Sequence, residues 1–148
     1  YRYANLNLDI LRDNLLGDKQ MALKATEAFL RAFVLTLPKG KQNSFAAHNP
    51  PKFIAFLVRD RGFPRNLSGA FERPVQPTPD KSLAGASVEA LLLHWKALDG
   101  AFGRADREWV ALLNLSDGKV QYHKNRLTTS LDTALEKIRP GIQQLLEV

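Results

Sequence analysis

The chain has 148 residues, 45% hydrophobic and 24% charged, which suits one domain with a real core and reads as globular, not disordered. It has no cysteine, which rules out disulfides and thiolate metal sites and fits a cytoplasmic location, and no apolar run approaches the roughly 20 residues that span a bilayer. The net charge of +6 favours an acidic partner such as nucleic acid.

Tyr1 to Ile10 alternates. Arg2, Ala4, Leu6, Leu8 and Ile10 fall on one side, and Tyr1, Tyr3, Asn5, Asn7 and Asp9 on the other, which predicts a half-buried strand. Gly17-Asp18 then marks a helix start with Asp18 as N-cap. From Lys19 to Leu37 the polar residues Gln20, Lys24, Glu27 and Arg31 make one wet stripe, with Glu27 and Arg31 spaced to pair along the helix. That leaves Met21, Ala25, Ala28, Phe29, Ala32, Phe33 and Leu37 to face a core. Pro38 and Gly40 end the helix.

The run Pro38 to Pro51 is longer than the connection of about five residues that compact domains usually need. It carries Lys39, Lys41, Gln42, Asn43, Ser44, His48 and Asn49. The lysines would supply charge to phosphates, and the amides and hydroxyl would supply directional hydrogen bonds. The competing reading is a solvated crossover whose Asn and Ser side chains bond back to their own backbone. Gly40-Lys41 lacks the spacing of a nucleotide-binding P-loop.

Phe53 to Val58 is apolar on both faces and predicts a strand covered on both sides. Asp60 to Gly62 is a turn, and Pro74 to Asp80 an irregular surface loop. A second helix carries Val88, Leu91, Leu92, Trp95, Leu98 and Phe102 on one stripe. Trp109 to Leu115 reads as a strand, and Ser116 to Lys119 as a hairpin turn into a strand over Val120 to His123. A third helix spans Thr129 to Arg139, with Thr129 and Asp132 at capping-box spacing and a kink or break expected at Pro140-Gly141. Strands and helices interleave without internal repeats. The expected fold is α+β, a single domain over residues 1–148, with helices packed on one face of an antiparallel sheet.

The residues offer little catalytic chemistry. None of His48, His94 and His123 has a partner at metal-ligand spacing, so no metal site is expected, and His94 beside Trp95 reads as packed. Ser44 and His48 lack the surroundings of a nucleophilic site. Arg59, Arg61, Arg65 and Arg73 make either a positive patch for RNA or a neighbouring protein, or simply a soluble surface. Tyr1, Arg2, Tyr3 and Asn5 make either an RNA-facing strand or ordinary tyrosine packing.

Three stretches carry a resemblance: Y-R-Y-A-N-L-N-L at Tyr1 to Leu8, G-K-Q-N-S-F-A-A-H-N-P at Gly40 to Pro50, and L-S-G-A-F-E-R-P-V at Leu67 to Val75. In this order they resemble the C-terminal part of the CasC-type backbone subunit of the type I-E CRISPR Cascade complex. The resemblance covers most of residues 1–115 and fades beyond. It implies a partial RRM-like (ferredoxin-like) palm, with only the later strands and helices present. It also implies a non-catalytic scaffold without cofactor, whose copies assemble head to tail along a CRISPR RNA and hold it by its backbone. Target DNA would then be met indirectly, through pairing with the guide. Lys39, Lys41, Gln42, Asn43, Ser44 and His48 are the expected RNA contacts, with Arg2 and Asn5 as weaker ones. Other copies of the subunit and other Cascade subunits are the expected partners. The chain starts at Tyr1 without an initiator Met, so it is expected to be a C-terminal fragment. The alternative is a protein-interaction module with Phe45, Phe63 and Phe71 as anchors, RNA being held by the absent N-terminal part.

Overall fold

The computed structural model of the chain describes residues 1–36 and 49–147. In chain order its elements are α1 (Leu8–Asn14), α2 (Lys19–Leu35), β1 (Phe53–Arg59), α3 (Leu83–Phe102), β2 (Glu108–Asn114), β3 (Leu127–Thr128) and α4 (Leu131–Leu146). Short 3-10 turns cover Ser68–Phe71 and Lys124–Arg126. The class is α+β, as expected, and the small open sheet with its helices is consistent with a partial ferredoxin-like palm.

The strand expected over Tyr1 to Ile10 does not form, because Asn7 starts a helix. Its side chain accepts from the Ile10 amide at 3.0 Å, and residues 1–7 are irregular. The apolar residues that count are Leu8, Leu11 and Leu15, which pack on the core at helical spacing while Ile10 stays exposed. Leu16 and Gly17, both at positive φ, reverse the chain. Asp18 then caps α2 as expected, accepting from the Met21 amide at 2.9 Å.

The buried stripe of α2 is rotated from the expected one. Ala22, Thr26 and Val34 are buried with Leu23 and Leu30 beside them, whereas Met21 and Phe29 are exposed. The apolar contacts of this stripe hold the orientation, and charges pair across the helices at its edge. Arg139 meets Glu27 at 2.7 Å and Arg31 meets Asp132 at 2.6 Å, so Glu27 and Arg31 pair with α4 rather than with each other.

β1 and β2 are antiparallel, in register from Phe53 opposite Asn114 to Arg59 opposite Glu108. β2 is central, and its other edge pairs in parallel with β3, Leu112 opposite Leu127, so the sheet is mixed. The hairpin strand expected over Val120 to His123 is absent. Asp117 explains why: it accepts from the Ser82 amide at 2.7 Å and the Ser82 hydroxyl at 2.5 Å, which ties the turn to the start of α3. Gly118 lies so close to Gly85 of α3 that neither position admits a side chain.

Alternate strand residues face two cores. Phe56, Ala111, Ile54, Val58 and Trp109 meet α1, α2 and α4, while Val110, Leu112, Phe53 and Leu57 meet Val88, Leu91, Leu92 and Trp95 of α3. α3 therefore covers a second face in addition to the helical layer on the first. This accounts for the apolar character of both sides of Phe53–Val58.

α4 is capped by Ser130 and Thr133 in a reciprocal box, one residue beyond the expected pair. It runs on through Pro140 without ending. A proline inside a helix costs about 3 kcal/mol, and burial of Ile142 and Leu146 beyond it offsets this at about 1.5–3 kcal/mol each.

Candidate functional site

The N-terminal segment is pinned at two points. The Tyr1 hydroxyl donates to Asn66 Oδ1 at 3.2 Å and accepts from the Leu67 amide at 2.8 Å, and its ring lies 5.6 Å from that of Phe71. Arg2 donates from Nη2 to the Phe33 carbonyl at 2.5 Å, with its guanidinium 4.6 Å from the Phe33 ring centroid. It thus satisfies one of the carbonyls left open in the last turn of α2. Among the described residues only part of its five-donor fork is used. Asn5 is exposed two residues before the α1 cap. Burial, and then the neighbouring Tyr1, push the Tyr3 hydroxyl pKa up.

α2 ends at Leu35, and the next stretch of chain holds Lys39, Lys41, Gln42, Asn43, Ser44 and His48, all of which lie outside the described residues, as does Phe45. Of the expected RNA contacts, the structure therefore places Arg2 and Asn5. Arg2 sits at the helix end that leads toward the loop.

The four arginines between residues 59 and 73 do not act as one patch. Arg65 donates from Nε to Asp99 Oδ1 at 3.0 Å and from Nη2 to the Gly103 carbonyl at 2.6 Å, and the Arg65–Asp99 pair is buried. Arg59 folds over Gly62 and donates to the Phe63 carbonyl at 3.3 Å. Arg61 and Arg73 are exposed and form no ion pair among the described residues. Phe63 is 79% exposed and lies beside Pro64, Leu98 and Phe102 around a shallow recess. Phe71 packs at the edge of the α3 core. His94 packs against Gly69 of the 3-10 turn.

A buried polar cluster that sequence reasoning did not bring together lies where the end of α3, the start of β2 and the 119–126 loop meet. Asp99 accepts from Arg65 and, at 2.6 Å, from the Tyr122 hydroxyl. Glu108 accepts through Oε1 from Arg104 Nε at 3.1 Å and Nη2 at 2.7 Å. His123, at φ 58°, is buried with its ring 4.1 Å from Tyr122 and 4.7 Å from Trp95. Burial and the hydrogen bond to Asp99 push the Tyr122 hydroxyl up to about 12. Burial, then the Arg104 charge, lower the His123 pKa. Arg104 in turn holds its proton more firmly because of its hydrogen bond to Glu108.

Two arginines thus balance two carboxylates, and with Arg65 from the loop after β1 the cluster binds four segments into one unit. One signal in the sequence pointed here. Asp99 lies four residues after Trp95 on the buried stripe of its helix, where a charge needs a buried partner.

Comparison with known proteins bears on this architecture. The sequence profile described as "CT1975-like protein" matches residues 1–137. A chain of a "CRISPR RNA-guided surveillance complex" superposes with a TM-score of 0.81 at 28% identity, over 95% of this chain and 52% of that one. A chain of a "CRISPR RNA-guided surveillance complex, pre-nicking" does so with a TM-score of 0.77 at 25% identity, over 93% of this chain and 36% of that one. The chain thus spans about half, or a little over a third, of the length of these structures. No curated protein matches it. Among the described residues no helix is long and apolar enough to cross a membrane.

Proposed function

The chain belongs to the CT1975-like protein family, and from that premise we propose that it is part of the RNA-holding backbone subunit of a CRISPR surveillance complex. The observation that carries this reading is the match to a chain of an RNA-guided surveillance complex over 95% of the present sequence. We assign it to the CasC-type subunit of a type I-E Cascade, on the three motifs at Tyr1–Leu8, Gly40–Pro50 and Leu67–Val75.

In this role the protein does no chemistry. It holds CRISPR RNA by phosphate and ribose, leaving the bases to pair with target DNA. Lys39 and Lys41 supply charge, while Gln42, Asn43, Ser44 and His48 supply hydrogen bonds. Arg2, at the end of α2, and the exposed Asn5 add to this surface. Head-to-tail repetition of one subunit produces an open filament whose length the guide sets. Other copies of the subunit and other Cascade subunits complete the assembly, in the cytoplasm.

A second reading draws on the exposed side chains. Phe63 and Phe102, both more than two-thirds exposed, flank a recess with Leu98, and Phe29, Met21 and Leu35 are exposed on α2. These suit a protein-interaction module contributing mainly subunit contacts.

Titration of the chain with two labelled single-stranded RNAs of equal length and unrelated sequence separates the readings. Backbone holding gives equal affinity for both. Strong preference for one sequence overturns it, and self-association without RNA, insensitive to salt, favours the interaction module.

A further inference from the structure

The buried cluster at the end of α3 leaves coordinating capacity unused. Oε2 of Glu108 and Nε2 of His123 are buried and have no hydrogen-bond partner among the described residues. Leaving such a group unpaired costs about 1–3 kcal/mol, so both atoms call for an occupant. One ligand atom from each of Asp99, Glu108 and His123 lies within 4.8 Å of the other two.

We propose that Asp99, Glu108 and His123 form a binding site for a divalent transition-metal ion of the zinc class. One imidazole and two carboxylates make a nitrogen–oxygen set suited to such an ion, with a fourth position left for water. The ligands are held in advance. His123 is wedged between Trp95 and Tyr122, which holds its ring in place with Nε2 unpartnered among the described residues. Asp99 is fixed by Arg65 and by the Tyr122 hydroxyl, partners of the kind that orient metal-binding carboxylates.

Arg104 is the competitor. It holds Glu108 through two nitrogens and reaches within 4.0 Å of Asp99, yet its own side chain is about half exposed. The ion enters as this guanidinium swings out to solvent, while the buried Arg65 stays. Exchanging one positive charge for two makes affinity depend on whether Arg104 is present. This separates a specific site from chance metal binding at an exposed histidine.

The test is calorimetric titration of the intact chain with Zn2+ in a non-chelating buffer, with Co2+ absorption as a second readout. One ion per chain, tetrahedral Co2+ bands and a raised melting temperature are expected. Affinity should fall by about 100-fold or more in Glu108→Gln and His123→Gln, and rise by about tenfold in the surface variant Arg104→Ala. Circular dichroism checks that the two buried variants fold, and Arg104→Ala decides the matter if they do not. No saturable binding overturns the proposal and leaves the two atoms to bridging water. So does binding that Arg104→Ala leaves unchanged, or that His48→Gln abolishes.

Discussion

Gly141 lies flat against the indole of Trp109, so close that a Cβ would overlap Cδ2, Cε3 and Cγ of the ring. This contact lets α4 rest directly on β2, and it gives the Pro140-Gly141 pair a packing role inside the helix. Gly141→Ala should destabilise the chain by about 2 kcal/mol, the strain of overpacking outweighing the gain in helix propensity. Denaturant unfolding measures this. Trp109→Leu should be less damaging when combined with Gly141→Ala than alone, since it removes the clash.

Arg65 and Asp99 are a buried ion pair, and breaking one partner strands the other. Arg65→Met should cost about 3–5 kcal/mol, because Asp99 then keeps only Tyr122 and the more distant Arg104. Tyr122→Phe removes a single hydrogen bond from the same carboxylate and should cost about 1–2 kcal/mol. Equal losses in the two variants would show that the ion pair does not hold the cluster.

Acid should weaken the fold in two stages. The His123 pKa is lowered from 6.5 by burial and by Arg104, so the unfolded chain takes up this proton first as pH falls. Stability from this group is therefore complete above about 6.5 and declines below it. The Asp117 carboxyl is lowered from 3.8 by its hydrogen bonds from Ser82. Its contribution is present above 3.8 and is lost as pH falls through the lower folded value. Melting temperature against pH should show both stages. His123→Phe should flatten the first and leave the second, and Asp117→Asn should do the reverse.

Much of the fold was legible where local chemistry and burial agree. Asp18 is a strong cap followed by a helical pattern, and Phe53–Val58 and Trp109–Leu115 are too apolar to be anything but covered strands. The misreadings came where tertiary contacts decide. Leu6, Leu8 and Ile10 alternate like a strand, but Asn7 caps a helix that buries Leu8, Leu11 and Leu15. Val120–His123 looked like the return of a hairpin, but Asp117 is engaged by Ser82, far away in sequence. The buried stripe of α2 is set by which apolar residues meet α4 and the sheet, and Glu27 and Arg31 lie at its edge, paired with α4. The stretch from Lys39 to His48 carries a signal of composition alone and lies outside the described residues, whereas the Asp99–Glu108–His123 cluster arises from segments that only the fold brings together.

Lys41 is the residue on which the RNA reading turns most sharply. A lysine that neutralises one phosphate contributes to affinity without regard to base sequence. Lys41→Ala should weaken binding equally for unrelated RNAs and reduce the slope of log K against log salt by about one. Arg2→Ala, which also frees the Phe33 carbonyl, should lower both RNA affinity and melting temperature.

Fluorescence anisotropy of labelled single-stranded RNA across a salt series shows whether these 148 residues carry a surface that grips RNA by its backbone. Saturable, sequence-independent binding is expected, with log K falling linearly and steeply with log salt concentration. A folded chain that binds no RNA, or binds it with no dependence on salt, would contradict this expectation.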